Sequence, residues 1–127
     1  MEKEEVTIPK ILLTWSKWVA WDDLKVDARY GGGVRVPTEP GVYEVKHKNE
    51  EKRLTIGKAS DLRMRVKQGL VKGKVPHSAG ERIRPNENVS IIVTRWAVTD
   101  RPAAVEEELH KRHVARFSGL PKYTEHT

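Results

Sequence analysis

The chain has 127 residues, 33% of them charged and 37% hydrophobic, with a formal net charge of +6 and no cysteine. That length suits one compact domain, and the absence of cysteine excludes disulfides and thiolate metal sites and makes a reducing cytoplasm the expected setting. No apolar run approaches the roughly 20 residues that span a bilayer, so no membrane role is expected.

The first residues, Met1-Glu2-Lys3-Glu4-Glu5, lack the basic start and apolar core of a signal peptide. Residues 1–36 read as an extension that packs on the core. Its Trp15, Trp18 and Trp21 recur every third position, which predicts one face of a helix, suited to packing on a core or to stacking on bases. The Gly31-Gly32-Gly33 run and Pro37-Thr38-Glu39-Pro40 then punctuate the chain, and residues 37–127 form the main domain.

Gly41–Lys48 reads as a strand, with Val42 and Glu44 on one side and Tyr43 and Val45 on the other. Asn49-Glu50-Glu51-Lys52 is a polar turn, and Arg53–Gly57 returns as the second strand of a hairpin. Ser60 is suited to cap a helix whose Leu62, Val66 and Leu70 make an apolar face. Residues 69–85 are rich in Gly, Pro and Lys and read as a long exposed loop. Val89–Val98, rich in Ile, Val, Thr and Trp, is a third strand. Pro102 opens a final helix, with Asp100 or Arg101 before it as cap, Val105, Leu109 and Phe117 on one side, and Gly119 at its end. The fold class is α/β (α+β): a small three-stranded, mostly antiparallel sheet flanked by helices, with an N-terminal helical extension.

Positive charge gathers in the middle. Lys46 to Arg84 carries twelve Lys/Arg against four Asp/Glu, whereas residues 1–30 carry five against six. Such a stripe suits a polyanion, nucleic acid first, or serves solubility alone. Its contact candidates are Arg63, Lys67, Lys72, Lys74, His77, Arg82 and Arg84. His110 and His113 follow Glu106 at helical steps of four and three, a spacing that suits metal ligands or a polar face beside a phosphate site.

Gly41-Val42-Tyr43, Thr55-Ile56-Gly57-Lys58-Ala59, Asp61-Leu62 with Arg65, Val105-Glu106 with Leu109-His110, and Leu120-Pro121-Lys122-Tyr123-Thr124 occur in this order. The ordered set resembles the GIY-YIG nuclease family over about Pro40 to Thr124. The resemblance implies a DNA endonuclease, with RNA as the alternative substrate. It implies Tyr43 near the attacking water, Arg65 on the phosphate with Lys58 beside it, and Glu106 as the ligand of one Mg²⁺ or Mn²⁺. An Asp61–Arg65 pair is the structural alternative for Arg65, and Glu107 is the alternative register for Glu106. Thr55 stands where the family has its second tyrosine, and Thr124 where an asparagine is usual. A silent nucleic-acid-binding module is therefore the second expectation, and a protein partner or a homodimer is compatible with either.

Overall fold

The computed structural model describes residues 4–5, 10–27 and 33–124. Gly31 and Gly32, expected to punctuate the chain, and the start Met1–Lys3 lie outside the described residues. Two strands, β2 (Gly41–His47) and β3 (Thr55–Ala59), form an antiparallel hairpin as expected, though the return strand runs two residues later than the expected Arg53–Gly57, with Tyr43 opposite Gly57 and Glu44 opposite Ile56. On the other side of β2, β4 (Ile92–Val98) pairs antiparallel and sets Trp96 opposite Tyr43. Preceding these, β1 (Val19–Ala20) pairs antiparallel with β4, giving the order β1-β4-β2-β3.

The sheet thus has four strands rather than three, and the added one comes from the extension. Among the described residues of the extension, only α1 (Trp21–Leu24) is helical. Trp15 and Trp18 do not share a helix face; they flank the guanidinium of Arg95, at 4.1 and 4.6 Å from their ring centres. Stacking of this kind outweighs the weak helical pattern because it also covers a buried carboxylate. Glu44 on β2 accepts from Arg53 Nε at 3.1 Å and from Arg95 Nε and Nη2 at 2.8 and 2.6 Å. Ser16 fixes the segment to β4: its N–H donates to the Trp96 carbonyl and its hydroxyl accepts from the Trp96 N–H.

The two sheet faces are both covered. Tyr43, Val45, Ile92 and Trp96 share a core with Trp21, Leu24 and Val36. Val42 and Ala97 pack against Val105, with Leu109 and Trp15 alongside.

A π-helix, Met64–Val71, follows β3, its wide turn shown by Lys72 N–H donating to the Lys67 carbonyl five residues back. Leu62, Val66 and Leu70 enter the core as expected, but the cap is Asp61, whose carboxylate accepts from Met64 N–H, and not Ser60. The expected loop over residues 69–85 is a correction. The π-helix runs to Val71, a turn follows through Gly73 at φ +67°, and α2 (Ser78–Asn86) begins soon after. Pro85 lies inside α2, one residue before its end, where it removes the N–H that would bond the Glu81 carbonyl, and the Gly-rich composition serves close packing rather than exposure.

Last comes α3 (Pro102–Phe117), opened by Pro102 as expected. Ser118, at φ 62°, takes the left-handed terminating position expected of Gly119. No helix among the described residues is long and apolar enough to cross a membrane.

Candidate active site

A cleft of about 900 Å³ opens between β3, the π-helix and the first turns of α2 and α3. Tyr43, Thr55, Lys58, Arg65, His77 and Glu106 all line it, as does Thr124. Four separate elements deliver five of these groups, and His77 and Thr124 come from the segments before α2 and after α3. Tyr43 comes from the central strand, Thr55 and Lys58 from β3, Arg65 from the π-helix, and Glu106 from the start of α3.

Tyr43 is almost fully buried, and its hydroxyl meets His77 Nε2 at 2.7 Å. Gly80 N–H donates to His77 Nδ1 at 2.9 Å, so that nitrogen is the acceptor and the ring proton sits on Nε2. His77 therefore donates to the Tyr43 oxygen and leaves the phenol proton to point elsewhere. His77 caps α2 through the same Nδ1 contact. Burial, then the Arg65 and Arg84 charges, push its pKa down to about 3, so the ring is neutral across the physiological range.

Gly57 makes room for this arrangement. A Cβ there would lie 2.3 Å from the Tyr43 hydroxyl and 2.4 Å from Cζ, so only glycine lets the ring pass across β3. Burial pushes Tyr43 up to about 12; Arg65 opposes this by charge and hydrogen bond, while Glu106 adds to it. Tyr43, Arg65 and Glu106 are therefore close enough to feel one another electrically.

Of the three consecutive glutamates, Glu106 lines the cleft. Glu107 is exposed and pairs with Lys111 one turn on, at 3.4 Å. Asp61 is occupied in capping, and Arg65 reaches the Pro76 carbonyl at 3.4 Å instead. The two threonines meet across the cleft, with their hydroxyls 3.4 Å apart.

His110 turns Nε2 to the Ile56 carbonyl at 3.0 Å, and His113 bridges Arg53 N–H and the Gly119 carbonyl. Both histidines thus tie α3 to its surroundings. Among the described residues no group of three or more His, Cys, Asp or Glu side chains is placed to hold a metal. Glu106 and Asp100 supply two carboxylates to the cleft lining, where His77 and His110 are engaged with Gly80 and Ile56. Two carboxylates suit a hard divalent cation that keeps most of its waters.

The remaining basic candidates lie elsewhere. Arg63 donates to the Val36 carbonyl, Lys67 to those of Val26 and Val34, and Arg84 to those of Gly69 and Leu70. Lys72 pairs with Asp27, Arg82 stacks on Tyr123, and Lys74 is exposed. Sequence reasoning missed the capping role of His77, since histidine is outside the usual cap set. It also missed Glu87, which accepts from Tyr123 and Lys122 and lies 3.0 Å from His47, fixing the wall made by Tyr123.

Comparison with known proteins returns no match to a family model, a curated protein or a solved structure.

Proposed function

We propose that the chain is a metal-dependent endonuclease of the GIY-YIG type, hydrolysing DNA phosphodiester bonds in this cleft, with a reducing cytoplasm as its setting. The observation that carries this proposal is the convergence of Tyr43, Arg65 and Glu106, from three separate elements, in one open cleft.

The residues divide the work of hydrolysis. Arg65, always cationic, pairs with the scissile phosphate and offsets charge that builds on its oxygens. Lys58, exposed at the cleft wall, adds a second cation for the incoming backbone. Glu106 would hold Mg²⁺ or Mn²⁺, with Asp100 at the rim and water filling the other positions. That ion would supply positive charge beside the leaving oxygen and beside Tyr43.

Tyr43 orients the attacking water and, after giving up its own phenol proton to solvent, takes the water's proton as the phenolate. At a pKa of about 12 the phenol is a poor base, so the site needs added positive charge to bring it down. His77 Nε2–H and Arg65 favour the phenolate, because both donate to it.

The second reading is a silent binding module of the same fold. Thr55 and Thr124 favour it, since they fill each other's hydrogen-bonding space with groups too weakly basic to take a proton. The test is nicking of supercoiled plasmid with Mg²⁺, Mn²⁺ or EDTA, beside Glu106→Ala. Metal-dependent nicking that disappears in the variant supports the nuclease. DNA retention that weakens with salt, without nicking, supports the binding module. Equal cutting by both proteins places the activity outside this site.

A further inference from the structure

The π-helix has three working faces. Its turn holds about 4.4 residues, against 3.6 in an α-helix. Leu62, Val66 and Leu70 therefore align toward the core, and Arg65 and Gly69 align toward the cleft and His77. The third line is Arg63, Lys67 with Gln68, and Lys72, which faces a separate pocket of about 440 Å³.

Five cationic side chains line that pocket: Arg35, Arg63, Lys67, Lys72 and Lys74. Asp27 is the one carboxylate lining it among the described residues. Among the described residues most of this positive charge is oriented but not neutralised. Arg63 Nε donates to the Val36 carbonyl at 2.8 Å, and Lys67 Nζ donates to two carbonyls at 2.9 Å each. Carbonyls position a cation without cancelling its charge. Among the described residues Lys72 has a carboxylate partner, Asp27 at 2.9 Å, and the other four cations have none.

Lys67 is the informative member. It is 4% exposed, and two carbonyls account for two of its three N–H donors. Burial, then repulsion from Lys72 and Arg63, hold its pKa below the ordinary lysine value despite Asp27. A nearly buried ammonium among like charges is costly unless an anion joins it.

We infer that this pocket is a second phosphate site, which seats the backbone of the same duplex DNA that enters the cleft. Several donors converging on one volume suit a phosphate oxygen cluster. A polymer fits better than a free anion because pocket and cleft lie on two different faces of one helix, with Lys67 on one and Arg65 on the other, and a long polyanion can reach both. This inference rests on the nucleic-acid reading of the cleft.

The test uses the full chain carrying Glu106→Ala, so that DNA stays intact. Amide shifts are followed by NMR while a 16-base-pair duplex or inorganic phosphate is added. Anisotropy then gives duplex affinity against salt for this protein and for the same protein with Arg35→Ala and Lys74→Ala, two exposed positions. Loss of one phosphate contact lowers the log–log salt slope by about 0.9, so the affinity ratio of the two proteins changes about 3.5-fold between 50 and 200 mM salt. That change, with duplex-induced shifts at Gln68, Lys72 and Lys74, is the expected result. Shifts confined to the cleft, with an unchanged slope, overturn the pocket and leave the cleft reading standing. Shifts at the pocket with phosphate but not with duplex overturn the DNA assignment. Duplex shifts at the pocket alone support the site and count against the cleft. No response in either region overturns both.

Discussion

His77 should make the fold acid-sensitive by an amount that follows from its contacts. In the unfolded chain it titrates near its ordinary 6.5; in the fold, burial and neighbouring cations push it down to about 3. The unfolded state therefore binds a proton that the folded state refuses. Stability from this group is complete above pH 6.5 and is lost as pH falls toward 3, at up to about 1.4 kcal/mol per pH unit. The loss relative to pH 7 is about 2 kcal/mol at pH 5 and about 3 kcal/mol at pH 4. His77→Gln keeps an N–H to offer Tyr43 and removes the titration. Urea unfolding at pH 7, 5 and 4 on both proteins measures the difference, and other acid-sensitive groups such as Glu87 cancel in it. The parent's disadvantage should grow by about 2 kcal/mol between pH 7 and 5. Parallel pH profiles would refute the neutral, donating tautomer and with it the His77 contribution to the Tyr43 environment.

Tyr43 should ionise near pH 12, read as the ultraviolet difference between the parent and Tyr43→Phe; Glu106→Gln should lower that midpoint and Arg65→Gln should raise it. An ordinary midpoint near 10, or no response to either charge change, would separate the three groups. Gly57→Ala should cost about 1–3 kcal/mol in urea unfolding, because the added methyl meets a buried ring that has no room to retreat; an unchanged midpoint counts against the close approach. Glu44→Gln should cost about 3–5 kcal/mol, because Arg53 and Arg95 then face each other without a carboxylate. Thermal unfolding checks it, and pairing the change with Arg95→Met should recover part of the loss.

Alternation in Gly41–His47 and the β-branched and aromatic run in Ile92–Val98 made those strands legible, and the polar turn after the first announced the return strand Thr55–Ala59. A two-residue strand such as Val19–Ala20 carries no period, and tryptophans three apart mimic a helix face while serving an arginine stack. Four-residue steps in Leu62, Val66 and Leu70 announced a helix but do not separate α from π winding. Residues 69–85 misled through composition: Gly80 gives its N–H to His77, and Gly69 packs beneath that ring, both inside helices. The cleft residues could be named from their order along the chain. Which glutamate of three faces inward, and that His77 meets Tyr43, depend on distances between elements remote in sequence.

The strand that floors the cleft, β3, is also the outer member of the sheet. An outer strand offers unpaired backbone to any passing chain. Here the exposure is closed piece by piece: Tyr123 N–H takes the Leu54 carbonyl, Lys122 N–H that of Arg53, and His110 that of Ile56. Lys58, the exposed residue of the strand, puts a charge where the remaining edge meets solvent. The lysine that the proposed function sets against phosphate thus also charges the sheet edge, and Lys58→Val should lower solubility whatever it does to activity.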